Sequence, residues 1–243
     1  MTVLLALLSV AVGAAYDNAS LEELKQAAEK SQHTYDIETA RELLPVLQGR
    51  LYTVPQAEET ALRELLAQHA LFIASMARNE YEKDDISIGE KRELGSEIDA
   101  AASKGFSALG PLPETSEKHR ITADLLMMRM RTKFKGQRHE GSMEAAADKA
   151  LALDPCNPSA LLTKSRRKLF AEDKHGGDFE EGLAMVNRAI ELDPANEQAF
   201  VLRGLAWKRH GDMEKAIADW KRALDINPHT KPAREHLERA GAN

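Results

Sequence analysis

The sequence predicts an all-α protein made of antiparallel helix pairs stacked one on the next into a solenoid. Two observations carry this. Three segments end alike, ADKALALDP at 147–155, VNRAIELDP at 186–194 and WKRALDINP at 220–228, with closing prolines 39 and then 34 residues apart. A period of this size marks a repeated supersecondary unit, and the excess of five fits a longer loop at 173–177. Composition agrees: aromatics are only 5% of 243 residues while Ala, Leu, Glu, Lys and Arg dominate, which suits helices packed through small residues.

The elements follow from caps and from apolar residues at helical spacing. Ser20 with Glu23 forms a capping box ahead of Leu21, Leu24, Ala27 and Ala28. Asp36 caps a second helix carrying Ile37, Ala40, Leu43, Leu44 and Leu47, in which Pro45 predicts a kink or an early stop. The longest periodic run, Ala61 to Ala77, predicts a mostly buried helix, with His69 as a hydrogen-bonded core residue. Glu82 to Glu90 reads as a loop. A helix through Leu94, Ile98, Ala102, Gly105 and Leu109 stops at Gly110-Pro111. Thr115 or Ser116 caps the next, expected to end at Gly136, and Ser142 starts another that ends at Asp154-Pro155. Further helices start near Ser159, Asp178 and Glu197, the last pairing with its successor across His210-Gly211-Asp212, and a short amphipathic helix ends the chain. That makes about eleven helices, no strand, and no linker long enough to separate domains.

The best-preserved unit, from Glu197 to Pro228, resembles the tetratricopeptide repeat. Phe200, Gly204 and Trp207 match the bulky, small and aromatic positions of the first helix, and Ala216, Trp220, Ala223 and Pro228 match the second. The unit ending at Pro194 keeps Ser165, Gly182, Val186 and Ala189 but has Lys168 where an aromatic is usual. The unit ending at Pro155 keeps Met143, Ala147 and Ala150 on its second helix only. The resemblance implies a right-handed α-solenoid, with tetratricopeptide-like repeats and a capping helix over 111–243 and divergent helical hairpins over 16–110. It further implies a non-catalytic protein–protein interaction scaffold or assembly factor that takes a partner segment in a concave groove lined by the first helices.

Those first helices are basic. Lys118, Arg120, Arg129, Arg131, Lys133 and Lys135 lie in one, Lys164, Arg166, Arg167 and Lys168 in the next, and Arg203, Lys208 and Arg209 in the last. The predicted groove face is Lys135, Arg166, Lys208 and Arg209 over an apolar floor of Leu162, Val201 and Leu205, and an acidic partner would suit it. The alternative is that these cations pair with acidic helices next door, each pair contributing little.

Residues 1–15 have the form of a secretory leader: an uncharged apolar run from Val3 to Val12, then Gly13-Ala14-Ala15. At this length it is short for a membrane span. Removal of the leader predicts a periplasmic or secreted protein without stable membrane insertion. No Lys or Arg precedes the run, so either the n-region is minimal or the true start lies upstream; anchoring to the membrane by this segment is the alternative localisation. A net charge of −6 offers nucleic acid no overall attraction. The single cysteine, Cys156, excludes an internal disulfide and a multi-cysteine zinc site, and is expected to be a partly buried, inert thiol.

Chemistry-bearing motifs are missing: no phosphate loop, no His-Glu-x-x-His, no nucleophile elbow, no dinucleotide fingerprint. No catalysis and no cofactor are therefore expected. Asp173, His175 and Asp178 around Gly176-Gly177 are the best metal candidates, but Asp178 suits an N-cap and the glycines a turn, so no metal is expected. A second functional class is a periplasmic accessory protein of a transporter, holding a solute against the Leu62–Met76 helix and Met127, Met128 and Met130; methionines, however, fill cores more often than they line pockets.

Overall fold

A computed structural model describes Tyr16 and residues 18–172 and 176–242. The expected leader, together with Asp173 and His175, lies outside the described residues. Eleven α-helices occur among those described: α1 (Leu21–His33), α2 (Ile37–Arg50), α3 (Gln56–Tyr81), α4 (Ile88–Leu109), α5 (Ser116–Arg129), α6 (Lys133–Leu153), α7 (Pro158–Phe170), α8 (Phe179–Leu192), α9 (Glu197–His210), α10 (Met213–Ile226) and α11 (Lys231–Ala240).

Local chemistry starts most of them. The Ser20 hydroxyl accepts from the Glu23 N–H while the Glu23 carboxylate accepts from the Ser20 N–H at 2.7 Å. The same reciprocal box, Ser87 with Glu90, opens α4, so a helix begins inside the stretch read as loop. Pro45 does not stop α2, which continues to Arg50. Its ring is on the exposed side, while Leu43, Leu44 and Leu47 are buried; that apolar face holds the helix past the missing N–H.

The break expected at Gly136 falls earlier, at Met130–Thr132. Thr132 caps the new helix, its hydroxyl accepting from the Lys135 N–H (3.3 Å) and its carbonyl from the Gly136 N–H (2.8 Å). Gly136 and Gly141 are then interior residues of a single 21-residue α6.

The repeat ends share one turn. At Asp154, Asp193 and Asn227 the side-chain oxygen accepts from the backbone N–H two residues on, at 2.9, 3.2 and 2.9 Å. The carbonyl accepts from the N–H three residues on, and that third residue (Asn157, Asn196 or Thr230) is the N-cap of the next helix. An Asx turn, a proline that cannot continue the preceding helix and a new cap therefore occupy four residues. Cys156 sits in the first such turn and is exposed, contrary to the expectation of partial burial: a turn between two helices leaves its side chain in solvent.

The chain forms two compact units whose division passes within α5 and α6: one comprises the chain to Pro113 with Asp124–Glu140, the other Glu114–Ala123 with the chain from Gly141 onward. In the first, α3 packs along α4 over Leu62, Leu66, Ile73, Ile98 and Leu125, all fully buried. Gly105 lets α4 approach Leu125, where an added Cβ would lie 2.6 Å from the leucine. Fully buried His69 bonds through Nε2 to the Ala40 carbonyl at 2.8 Å. A carbonyl only accepts, so Nε2 carries the proton, and burial lowers the ring's pKa and keeps it neutral.

In the second unit α7, α8 and α9 share a core of Leu161, Leu162, Leu169, Val186, Ala189, Leu202 and Ala206. Phe200, Val201, Ala216, Trp220, Ala223 and Leu237 form the next layer. Gly182 meets Leu169, and Gly204 meets Trp220, at distances no Cβ could tolerate. Gly211 turns α9 into α10 at φ 92°, a conformation that favours glycine.

Candidate functional site

The cations of the first helices were the functional signal, and most of them are engaged. In the second unit Lys164 pairs with Asp148, Arg167 with Glu144 at 2.7 Å and Lys168 with Glu181 at 2.6 Å. Arg203 grips Asp219 with two bonds (2.9 and 2.7 Å) and reaches Asn187 at 2.7 Å. The partners lie on α6, α8 and α10, so for these four the pairing alternative holds. Glu114 likewise gathers Lys118, His119 and Lys149, and the hydrogen bonds from Lys118, Lys149 and His119 bring its carboxyl down to about 2.

The predicted groove residues separate. Leu162 and Val201 are buried, and Val201 lies in the same cluster as Phe200 and Trp220. Leu205 is half-buried against that cluster. Arg166 is half-buried, whereas Lys208 and Arg209 are exposed at the end of α9. Lys135 belongs to the other unit and bonds Asp99 at 2.8 Å.

An aromatic strip beside Lys208 and Arg209 was not anticipated. Phe179, the first residue of α8, stacks on His210 at 4.0 Å and 9°, and Trp207 meets Phe179 edge-on at 5.5 Å. Lys215 lies 4.3 Å over the Trp207 ring, and the Arg209 guanidinium 5.8 Å over Phe170, geometries in which a cation is attracted to an aromatic face. The i, i+3 spacing of Trp207 and His210 was the available signal; Phe179 joins them only through tertiary packing.

No family model matches the chain. The mitochondrial import receptor subunit TOM70 of Homo sapiens is 27% identical over 127 residues, 52% of this chain and 19% of that protein. Tetratricopeptide repeat protein 14 of Mus musculus is 28% identical over 112 residues, 36% of this chain and 15% of that protein. The chain thus spans less than a fifth of the length of these two curated relatives. Among solved structures, TTC0263, a thermophilic TPR protein of Thermus thermophilus, superposes with a TM-score of 0.60 at 12% identity, covering 92% of this chain and 100% of that one. The fold is tetratricopeptide-repeat-like. The small positions of the repeat have their physical reason in Gly182 and Gly204, and the aromatic of the second helix in Trp220, which is 0% exposed.

In the first unit one carboxylate organises a second set of cations. Arg131 donates to Asp99 Oδ1 (3.0 Å) and Oδ2 (2.7 Å), Lys135 to Oδ2 (2.8 Å), and Arg129 Nε stands 3.9 Å from Oδ1. Burial would raise the Asp99 carboxyl, but the bonds and charges of Arg131 and Lys135 override it and bring it down to about 2. Met127, Met128 and Met130 are half-buried, and the first two offer their carbonyls to Arg78. Among the described residues no three His, Cys, Asp or Glu side chains gather where a metal ion could sit. No helix among them is long and apolar enough to cross a membrane.

Proposed function

We propose that the chain is a protein-interaction scaffold that takes an acidic segment of a protein partner on α9 and its neighbours. Stacked helix pairs of this type generally present extended surfaces to other proteins, and one relative is named a mitochondrial import receptor subunit. The observation that carries the reading is a contrast along the first helices. Lys164, Arg167, Lys168 and Arg203 are spent on neighbouring carboxylates, while Lys208 and Arg209 are exposed beside a half-exposed aromatic strip. A cation next to an aromatic platform is the composition that concentrates binding energy at interfaces. Leu205, Lys208 and Arg209 make direct contact in this reading, with Arg166 at its margin and Leu162 and Val201 supporting from below.

Affinity capture from the native host tests it. Lys208→Glu with Arg209→Glu is expected to weaken capture of a specific partner by about tenfold or more; unchanged capture refutes the α9 face. Export is supported by the apolar run Val3 to Val12 and the small residues after it; a mature protein whose N-terminal sequence begins at Met1 refutes removal of the leader.

A further inference from the structure

We propose that the corner formed by α4, the end of α5 and the start of α6 in the first unit is a docking surface for a second acidic, Asp- or Glu-rich protein segment, whose carboxylate takes the place that Asp99 now holds. The inference rests on the scaffold reading but on a different face.

Three cations converge there on one carboxylate, which leaves two positive charges without a partner in the cluster. Two of the cations are built in. Arg131 has a side chain only 6% exposed, lies over the Tyr81 ring at 5.7 Å, and fits against Gly95, where a Cβ would come within 3.5 Å of its guanidinium. Arg129 is held by the Asp99 carbonyl (3.2 Å), the Ser103 hydroxyl (2.5 Å) and the Phe106 ring at 5.0 Å. Neither can swing away to find other counter-charges. Lys135 stands at the rim with its side chain 35% exposed and one bond made. One turn further, Arg138 is exposed and makes no ion pair among the described residues. Phe134 is 72% exposed and, at i, i+4 from Arg138, shares its face of α6. The surplus is felt locally: burial, and then Arg138, Arg129 and Lys135, hold His139 below its ordinary value. In a chain of net charge −6, an exposed aromatic beside fixed, under-neutralised cations fits an acidic segment with an apolar side chain. Asp99 is then an internal competitor, already seated where the ligand's carboxylate would bond.

A fluorescein-labelled hexaglutamate peptide, titrated into the full chain at low ionic strength and again at about 0.15 M salt, tests this. Binding that weakens with salt is expected, falling by about tenfold in the Lys135→Glu, Arg138→Glu variant. Asp99→Asn removes the competitor and should tighten binding by about threefold or more. The peptide should also raise the melting temperature of Asp99→Asn further than that of the wild-type chain. If Asp99→Asn fails to fold, Arg138→Glu, at an exposed position, decides the matter alone. Wild-type affinity in the double charge reversal overturns the proposal, as does no tightening in a folded Asp99→Asn protein. So does binding of inorganic phosphate at this corner without hexaglutamate. Lys208→Glu, Arg209→Glu should leave hexaglutamate binding here intact. If that variant alone abolishes it, this inference falls and the α9 reading stands; if hexaglutamate binds here while α9 charge reversal leaves partner capture unchanged, the reverse holds.

Discussion

Gly204 and Trp220 show how much one residue position decides. A Cβ at Gly204 would sit 2.4 Å from Trp220 Nε1 and 2.7 Å from Cδ1, and the indole is fully buried. Replacing a mid-helix glycine by alanine usually gains up to about 1 kcal/mol, but overpacking a closed core costs about 1–3 kcal/mol. Overpacking wins, so Gly204→Ala should lower stability in chemical denaturation, and a stabilised variant would contradict the packing. The other side of Trp220 is covered by His236, stacked at 4.9 Å and 24°. Burial, with Lys208 and Arg239 adding to it against the opposing Glu235, pushes His236 from 6.5 to about 4. The folded state therefore favours the neutral ring. That contribution is complete above about pH 6.5 and is lost as pH falls towards 4. His236→Phe keeps a ring on Trp220 but cannot titrate. Its melting temperature should fall less than the wild type's between those pH values, and parallel declines would remove His236 as the cause.

At the scale of elements, α6 separates two readings of the same residues. A glycine that ends a helix in the left-handed region resists alanine, whereas one inside a helix with free space around it is improved by alanine. Gly136 and Gly141 lie inside α6, with nothing within 4 Å of an added Cβ. Gly136→Ala and Gly141→Ala should each stabilise by about 0.5–1 kcal/mol, read from denaturation midpoints; destabilisation at Gly136 would restore the helix end that the sequence suggested there. Most other elements were legible because their signals are local. Ser20 with Glu23, the Asp178 cap and the His210-Gly211-Asp212 turn act within four residues, and the repeated Asp-Pro or Asn-Pro endings show as a period. Ser87 with Glu90 is an equally local signal, but the polar residues on either side of it have the composition of a loop. Thr132 was hidden because glycine is a helix terminator on average, and it is the bond from the Gly136 N–H to the Thr132 carbonyl that shows Gly136 inside the helix instead. The candidate site was less legible for a different reason. Charges could be assigned to helices, but pairing joins residues such as Arg203 with Asp219, 16 apart, or Arg131 with Asp99, 32 apart. No helical periodicity encodes those distances, so the engaged cations could not be told from the exposed ones.

At the scale of the molecule, each helix pair leaves one apolar face that only the next element can cover, and stability is close to a sum over units and the interfaces between neighbours. In the second unit the last such interface is α11 on α10. Ala233 and Leu237 are buried in the cluster with Trp220, and His236 covers the indole. Removing residues 231–242 would uncover the largest fully buried side chain among the described residues along with the outer side of Phe200's layer. At about 25 cal/mol per Å² of apolar surface returned to water, the loss should reach about 3 kcal/mol or more. In a Trp207→Phe background Trp220 is the only tryptophan, so its emission reports this interface alone. The truncated chain should show red-shifted emission and a lower denaturation midpoint. Because contacts are between neighbours, amides of α7 and α8, whose core of Leu161, Leu169 and Val186 does not include α11, should keep more of their hydrogen-exchange protection than amides of α9 and α10. Uniform loss of protection would mean that the second unit unfolds as one cooperative body, and unchanged emission would mean that α11 does not cover Trp220 in solution. A graded loss would place the weakest interface next to Lys208 and Arg209. The face proposed to bind a partner would then also be the face whose ordering a partner can reinforce.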